Sequence, residues 1–539
     1  MTGSFSSFAD FGQYLKRRPR RPLPAASGLV LLHMTKLGSY QVVHAHFAAA
    51  LSDLTGLTTV AYRIDDRRGS RGGPLGWVRG LLSGEEPHPL DVVYRDLVDE
   101  VIVLRVSGAV RREARREVDR YLSSEPSRRD LERFSVRGIA IGDLVYDKFI
   151  QKGHPVVDPR DPELRRHLLR FAVHAIALDD FCASRSVQWF VSGASAHEPG
   201  IPSRAAAKRA SPAIVATQDF AVRLSPHRPI WNLDSVFYRD RFARLPAARQ
   251  RDLLEGSDRF LSGLVSSGEV DLSATGQRPW AVGERRDPGL VVDRSRPRIL
   301  VAVHSFYDDP HAAGIGLFPD FYSWLEHLVE LMPRCDYEWL IKLHPDQRDD
   351  QIGVRPAIER LLVDRPQARI LPEGVGHREL LESGIDLALT IYGTIGFEYP
   401  AAGVPVLTAG PLNPHRPYSY CLHAETVEQY DGYLLNPGDW QYAIPRDDLR
   451  EYVAMHYLQK ADFPFHEIPF VRRHLEESGD FFKAAEFPDL WAREVTSTDV
   501  EAIIVKVRDW IASGTYGFRA FLADRASADG SADGEGPVR

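Results

Sequence analysis

Short apolar runs alternate with amphipathic stretches along most of this 539-residue chain. Apolar residues recur with helical spacing over 40–51 and over 321–331. The runs between such stretches are short enough to be buried strands, and they lie at 28–33, 58–64, 101–104, 188–192, 213–216, 298–304, 338–343, 368–371 and 387–391. Strands that alternate with helices predict parallel sheets, so the fold class is α/β.

A segment without periodicity divides these runs into two series. Gly, Pro, Arg and Asp dominate 271–297, which we expect to be a linker. We therefore predict one Rossmann-like domain over 25–270 and a second over 298–440, because a chain of this length is expected to form two cores. Helical spacing continues over 441–520, and the Gly/Ser/Asp-rich residues 521–539 predict a disordered tail.

Composition and charge are those of an ordinary globular protein. The chain is 44% hydrophobic and 26% charged, with a formal net charge of −7, which argues against a nucleic-acid partner. A compact basic run at 16–21 lies in a segment, 1–24, that we expect to be a flexible arm. Such a run can also contact an anionic membrane surface. The 3 cysteines are far apart, and neither a membrane span nor a signal peptide is recognisable. We expect a cytoplasmic protein with a solvated arm; the alternative is peripheral contact of the arm with the inner face of the cell membrane.

The segment 390–398 carries the most informative motif, Thr-Ile-Tyr-Gly-Thr-Ile-Gly-Phe-Glu. Gly393 and Gly396 permit close backbone approach, and Thr394 can offer an N–H and a hydroxyl where a short helix begins. Glu398 lies one helical turn beyond Thr394, within reach of a ribose. The layout predicts a phosphate or nucleotide site. The alternative is that the glycines only permit tight packing of strand against helix.

A second motif, 342–345, closes another predicted strand. His344 can donate to a phosphate oxygen, and Lys342 adds charge from the same strand face. Pro345 ends the strand. A solitary histidine here is more often structural, but the downstream turn favours binding. The residues assigned to the donor nucleotide are Lys342, His344, Pro345, Tyr392, Gly393, Thr394, Gly396 and Glu398.

Candidates for proton transfer follow other strand ends. Asp143 and Asp147 are one helical turn apart, and either can hold or deprotonate an acceptor hydroxyl, although Asp143 can also be a simple helix N-cap. His197 and Glu198 compete for the same base role. We also assign catalysis to Asp308 and His344. The residues expected to face substrate are His304, His311, Glu198 and Arg204. The Asp and His residues of 304–311 match no standard metal spacing, so no metal ligand is assigned.

Together these segments resemble the capsule polysaccharide biosynthesis proteins of bacterial surface-glycan loci. The matching phrases are 138–147, 192–204, 304–325, 342–345 and 390–405. More distantly, the His-Pro pair and the later Gly-Thr turn look like those of capsule Kdo transferases, bacterial sialyltransferases and teichoic-acid glycerophosphotransferases. The resemblance implies the GT-B fold, in which two Rossmann-like domains face a cleft. It also implies that His344, Gly393 and Thr394 hold the phosphate of a cytidine nucleotide, with Glu398 near the ribose.

The sequence therefore predicts a GT-B-type glycosyltransferase with C-terminal helices that acts in surface polysaccharide assembly. A CMP-linked acidic sugar is the favoured donor, a UDP-sugar the second choice, and a glycan or glycolipid the acceptor. No cofactor or metal is expected beyond the donor substrate. The sialyltransferase acidic-acidic-glycine motif has no counterpart, because Pro310 follows Asp308 and Asp309. The rival functions are a CDP-polyol phosphotransferase, a UDP-sugar 2-epimerase and a non-catalytic nucleotide-binding scaffold of glycan export.

Overall fold

The computed structural model describes residues 4–18, 27–65, 88–217, 220–224, 233–266, 287, 289–290, 295–312, 316–344, 353–459, 464–471 and 486–519. The chain forms two compact units, each assembled from separate segments. Unit 1 comprises Met1–Val145, Pro159–Pro229 and Asp462–Ala520, and unit 2 comprises Tyr146–Asp158, Ile230–Ala461 and Phe521–Arg539. Two α/β units are as predicted, but the segments of each are not consecutive in the chain.

The strands of the described residues are β1 (Leu29–His33), β2 (Thr58–Asp65), β3 (Glu100–Arg105), β4 (Ser135–Val136), β5 (Ile139–Ala140), β6 (Val187–Ser192), β7 (Ala213–Ala216), β8 (Phe220–Leu224), β9 (Arg298–Ala302), β10 (Glu338–Lys342), β11 (Ala368–Ile370), β12 (Leu387–Thr390), β13 (Val406–Thr408), β14 (Leu422–His423) and β15 (Gly517–Arg519).

The α-helices of the described residues are α1 (Phe8–Arg17), α2 (Gly38–Thr55), α3 (Pro89–Leu97), α4 (Gly108–Leu122), α5 (Arg128–Glu132), α6 (Gly142–Gln151), α7 (Pro162–Ser184), α8 (Ile201–Lys208), α9 (Tyr238–Arg244), α10 (Ala247–Ser266), α11 (Phe321–Leu331), α12 (Val354–Leu362), α13 (His377–Glu382), α14 (Ile395–Ala401), α15 (Val427–Leu435), α16 (Arg446–Val453), α17 (Phe487–Glu494) and α18 (Ser497–Ser513). None of these helices has the length and apolar character needed to cross a bilayer.

Unit 1 is built on a seven-stranded sheet of order β15-β8-β7-β6-β1-β2-β3. The strands from β7 to β3 pair in parallel. The last two at the other edge, β8 and β15, pair antiparallel and were not predicted. Val30, Leu31 and Leu32 of the central strand are fully buried, as expected for a continuous apolar run with both faces covered.

Helix α1 lies within the segment for which a flexible arm is predicted. Its residues Phe8, Phe11 and Leu15 are buried in the same apolar core as helices α17 and α18. Their spacing places them on one helix face, which gives the helix an apolar stripe to bury. Arg18, predicted to be part of a solvated basic run, is 5% exposed and pairs with Asp53 at 2.6 Å. Over 8–18 the chain is therefore packed, and 19–24 lie outside the described residues.

The C-terminal helices differ from the prediction in their grouping. A single helical region is predicted over 441–520, but α16 belongs to unit 2, whereas α17 and α18 belong to unit 1. Trp491 and Val507, on the two unit 1 helices, are fully buried. The predicted tail, 521–539, lies outside the described residues, as does most of the predicted linker.

Unit 2 is built on a six-stranded sheet of order β11-β10-β9-β12-β13-β14, and every neighbouring pair is parallel. Alternate residues of β9 enter opposite cores. Ile299 and Val301 face the core that holds α11, α12 and α15, and Leu300 faces the core that holds α13, α14 and α16. In such doubly covered parallel sheets, ligands bind beyond the carboxyl ends of the strands. The predicted α/β class is confirmed.

Candidate functional site

The candidate site of unit 2 is centred on the turn that follows β12. His304, just beyond the neighbouring strand β9, places its Nε2 3.4 Å from the backbone N–H of Tyr392 and 3.5 Å from Thr390 Oγ1. The N–H of Gly393 donates to the same hydroxyl at 3.2 Å. Because Nε2 accepts from Tyr392, the imidazole carries its proton on Nδ1 when neutral. The turn is thus fixed by side chains from the ends of two adjacent strands.

His304 is enclosed between aromatic rings. Its ring stacks on Phe321, with centroids 5.2 Å apart, and lies 4.1 Å from the ring of Tyr392. Burial lowers the pKa of His304 to about 3, and nearby His344 adds to the effect. The histidine is uncharged at neutral pH. With 7% of its surface exposed, it supports the turn through its bond to the Tyr392 N–H, and its predicted contact with substrate stays a prediction.

Sequence reasoning missed His415, which holds the turn from the other side. Its Nε2 donates to the carbonyl oxygen of Gly393 at 3.0 Å, and its Nδ1 accepts from the hydroxyl of Tyr420 at 3.0 Å. Burial lowers the pKa of His415 to about 3. A Cβ at Gly396 would lie 2.3 Å from the His415 ring. Gly396 therefore makes room for this imidazole, whereas a role in phosphate approach was predicted.

Helix α14 begins after Thr394, which is exposed. Glu398, one turn later, is 2% exposed. Burial raises the pKa of Glu398 to about 8, although its hydrogen bond with Thr394 acts in the opposite direction. The carboxyl group is therefore protonated at neutral pH and can donate as well as accept. Its predicted contact with a ribose stays a prediction.

The 342–345 motif lies one strand further along the sheet. Lys342 donates to the carbonyl oxygen of Val375 at 2.7 Å, and burial lowers the pKa of its ammonium group. His344 is half-buried and close enough to His304 to affect its pKa. Pro345 lies outside the described residues. The structure thus brings His344 to the turn and directs Lys342 toward the segment before α13.

Helix α6 supplies two side chains to the loop that follows β9. Asp147, 1% exposed, accepts from Nδ1 of His311 at 2.5 Å and from two backbone N–H groups. Tyr146 donates its hydroxyl to Asp320. Burial raises the pKa of Tyr392, as do the charges of Asp308, Asp147 and Asp309. This loop therefore lies beside the turn at 390–394.

The predicted residues of unit 1 are held in ion pairs. Asp143 pairs with Arg204 at 2.5 Å, and Glu198 pairs with Arg170 at 2.5 Å.

His197 has φ 52° and ψ −155°, a left-handed backbone conformation that favours glycine. Such strain persists only where the surroundings impose it. Asp143 is in unit 1 and Asp147 in unit 2, so helix α6 divides this predicted pair between the units.

One group of predicted residues therefore surrounds the turn in unit 2. Its members are Asp147, His304, Asp308, His311, His344, Tyr392, Gly393, Thr394, Gly396 and Glu398. Lys342 is in the same unit but bonds Val375, and Asp143, His197, Glu198 and Arg204 belong to unit 1. Among the residues described, no cluster of three or more His, Cys, Asp or Glu could hold a metal ion. At neutral pH His304 and Glu398 of this group are uncharged, and Asp147 supplies a charged acceptor.

The fold and the site define an α/β protein of two units, with a group of polar side chains beyond the carboxyl ends of the unit 2 strands. No protein-family model and no curated protein matches the sequence. Several solved structures are distantly similar to it. The β-Kdo 2,4-transferase KpsC from Thermosulfurimonas dismutans is 12% identical, with 59% of this chain and 87% of that chain covered and a TM-score of 0.32.

Two further similar structures have lower TM-scores. UDP-GlcNAc 2-epimerase from Neisseria meningitidis, solved bound to UDP-GlcNAc, is 10% identical, with 90% of this chain and 98% of that chain covered and a TM-score of 0.20. Glycosyltransferase VinC, solved in complex with dTDP, is 12% identical, with 84% of this chain and 100% of that chain covered and a TM-score of 0.22. At these scores the similarity carries no argument about activity.

Proposed function

We propose that the protein is a glycosyltransferase that transfers a sugar from a nucleotide-activated donor to a glycan acceptor of a bacterial surface polysaccharide. The observation that carries this proposal is the convergence of His304, His344 and the 390–398 turn beyond the carboxyl ends of β9, β10 and β12. That edge of a parallel sheet is where nucleotides bind in open α/β folds. The resemblance of the same segments to capsule biosynthesis proteins supports the choice of reaction.

A CMP-linked acidic sugar is the proposed donor. His344 would donate to the donor phosphate, with Gly393 and Thr394 at the turn beside it. Protonated Glu398 would act as a hydrogen-bond donor near the nucleotide. Donors aimed at the leaving phosphate stabilise the charge that develops there, which is usually the largest electrostatic contribution in such sites.

A nucleotide screen on the full-length protein tests the proposal. Thermal unfolding is followed with CMP, CDP, UDP and dTDP at 1 mM, and CMP is expected to give the largest rise in melting temperature. A nucleotide at 100 times its dissociation constant stabilises the folded state by about 2.7 kcal/mol. If none of the four raises the melting temperature, the proposal is wrong.

Two histidine variants refine the screen. His344→Ala is expected to weaken CMP binding at least tenfold, because one phosphate donor is lost. His327→Ala is the matched control, since this half-buried histidine pairs with Asp431 on helix α15. Unchanged CMP binding by His344→Ala would remove the assigned role.

Product analysis separates the rival reactions. We expect release of CMP from CMP-sialic acid. Formation of the C2 epimer from UDP-GlcNAc would indicate a 2-epimerase, and release of CMP from CDP-glycerol would indicate a phosphotransferase. Nucleotide binding without any of these products would favour a non-catalytic binding protein.

A further inference from the structure

Asp147 and His311 form a buried carboxylate–imidazole pair beside the candidate nucleotide site. The side chains of His311 and Asp147 are 9% and 1% exposed. Asp147 Oδ1 accepts from His311 Nδ1 at 2.5 Å and from the His311 backbone N–H at 3.3 Å, and Oδ2 accepts from the Ala312 N–H at 3.2 Å. With three donors on one carboxylate, both the loop and the imidazole are held in a single orientation.

The pair fixes the protonation pattern of the imidazole. Since Nδ1–H donates to Asp147, the neutral ring carries its lone pair on Nε2. Tyr146 packs against the same ring, with centroids 4.8 Å apart, and is itself anchored by its hydroxyl on Asp320. A base that a third group orients in this way is a recurring arrangement for removing a proton from a hydroxyl.

The pair is also connected to the turn. Asp320 caps helix α11, and Phe321, the first residue of that helix, stacks on His304. His304 accepts from the N–H of Tyr392, and the negative charge of Asp147 contributes to the raised pKa of that tyrosine. The elements that hold the turn therefore also hold His311.

We propose that His311 is the general base of the transfer and that Asp147 is its positioning residue. This role rests on the proposed function. His311 Nε2 takes the proton of the acceptor hydroxyl, and the oxygen forms a bond to the anomeric carbon. The bond between that carbon and the donor phosphate oxygen breaks, and its electron pair leaves with the nucleotide. His311 then releases the proton to solvent. From the sequence, the base role was assigned to Asp143, Asp147, His197 or Glu198.

A second histidine–aspartate pair provides a matched control. His327 on α11 contacts Asp431 on α15 through Nε2 at 2.6 Å. The two side chains are 21% and 22% exposed. Neither is a member of the group around the turn. Breaking this pair removes the same kind of contact without touching the candidate site.

The kinetic test uses the full-length protein with CMP-sialic acid as the probe and water in place of the glycan acceptor. His311→Gln keeps a donor for Asp147 but cannot take up a proton. We expect it to bind CMP within twofold of the wild type and to release CMP about 100-fold more slowly. Asp147→Asn is expected to lose less, and His327→Gln to lose nothing.

Further readouts distinguish a base from a structural histidine. The rise of kcat/KM with pH on the acid side should disappear in His311→Gln, and added imidazole should restore turnover to His311→Gly. A CMP release rate within threefold of the wild type in His311→Gln would overturn the proposal. So would a loss of CMP binding equal to the loss of rate, because His311 would then belong to the donor site.

A measurement that needs no substrate keeps the two proposals separable. In protein labelled with ¹⁵N-histidine, NMR should show His311 protonated on Nδ1, and Asp147→Asn should change that resonance while Asp431→Asn does not. A neutral His311 protonated on Nε2 would overturn the base assignment. Failure of every nucleotide to bind would instead reject the proposed function.

Discussion

The two edges of the unit 2 sheet hold polar groups in different ways. At the amino-terminal edge, Arg298 is fully buried. Its guanidinium bonds Glu338 at 2.8 Å and the carbonyl oxygen of Ser383 at 2.6 Å. At the carboxyl edge, burial keeps His304 and Glu398 uncharged at neutral pH, and Asp147 pairs with His311. A guanidinium salt bridge closes one edge, whereas uncharged groups and a histidine–aspartate pair lie at the other.

The difference indicates which polar groups bind ligands. A buried guanidinium whose charge is already paired is strongly destabilising to break, and it has no lone pair with which to accept a proton. Neutral groups held in place by hydrogen bonds can respond to an incoming phosphate or hydroxyl. By this criterion the Asp143–Arg204 pair of unit 1 resembles the amino-terminal edge. The comparison therefore assigns stability to one set of residues and binding to the other.

The largest expected effect on stability comes from replacing Arg298 at the amino-terminal edge. Arg298→Met should destabilise the protein by about 3–4 kcal/mol, because the guanidinium's bonds to the Ser383 carbonyl oxygen and to Glu338 are lost and Glu338 is left with the more distant Arg369. CMP affinity should not change under conditions where the variant is folded. Denaturant unfolding and calorimetry measure the two quantities. Arg355→Met is the control, since Arg355 lies 3.9 Å from Glu359 and 3.6 Å from Glu373, and its loss should cost less than about 1 kcal/mol. Weaker CMP binding by folded Arg298→Met would show that the amino-terminal edge contributes to binding, contrary to the comparison.

The next effect concerns the protonated carboxyl group of the carboxyl edge. Glu398 holds its proton up to about pH 8 in the folded protein, whereas an unfolded glutamate ionises near about 4.3. Its contribution is fully present below the lower value and is lost as the pH rises toward 8. Between pH 5 and 8 the wild type should lose about 3 kcal/mol from this group, and Glu398→Gln should not.

Unfolding by denaturant at several pH values checks this. The buried histidines lower the stability of both proteins in acid, so the difference between the two proteins isolates Glu398. Glu359→Gln is the control, because the Glu359 side chain is 56% exposed. A parallel pH dependence of the wild type and Glu398→Gln would show that the carboxyl edge carries a charge after all.

A third prediction tests whether His415 supports the turn at 390–394. In Gly396→Ala the new methyl group would lie 2.3 Å from the His415 ring, which is held by Gly393 and Tyr420. Overpacking of this kind costs about 1–3 kcal/mol. CMP binding should also weaken, because the displaced ring no longer holds Gly393. Denaturant unfolding and calorimetry again give both values.

Gly432→Ala is the matched control for that variant. A Cβ at Gly432 meets no atom within 4 Å, and the residue lies within helix α15. The substitution should stabilise the protein by about 0.5–1 kcal/mol. If Gly396→Ala has wild-type stability and CMP affinity, His415 does not support the turn.

The smallest effect is expected in unit 1. Asp143→Asn leaves an oxygen that can still accept from Arg204, so the charge-assisted contact between side chains 18% and 13% exposed becomes a neutral hydrogen bond, which should cost about 1 kcal/mol. The rate of CMP release from CMP-sialic acid should stay within twofold. A 100-fold loss of rate at unchanged stability would make Asp143 the base and contradict both the comparison and the role given to His311.

The fold was predictable where the pattern is local. The apolar runs gave β1, β6, β9, β10 and β12 nearly to the residue, because a strand covered on both faces is a continuous apolar stretch. The edge strands β8 and β15 were missed. The pairing of β15 with β8, which lies in the first half of the chain, leaves no local pattern. The same reason hid the packing of α17 and α18 in unit 1, which brings Trp491 into one core with Phe11.

The candidate site was predictable in its residues more than in their roles. Glycine and threonine after an apolar run mark a turn, and the structure brings His304 and His344 to it. The sequence does not show that the absence of a side chain at Gly396 accommodates the His415 ring, because tertiary packing brings the two residues together. The split of Asp143 from Asp147 was equally hidden, since one helix passes from unit 1 to unit 2.

The contact between Gly396 and His415 also has an evolutionary consequence. The His415 ring occupies the space that a side chain at position 396 would need. A substitution at either position is therefore constrained by the residue at the other. Homologues that carry alanine or serine in place of Gly396 should carry a smaller residue than histidine in place of His415. That linked substitution offers a criterion for deciding which distant sequences share this turn.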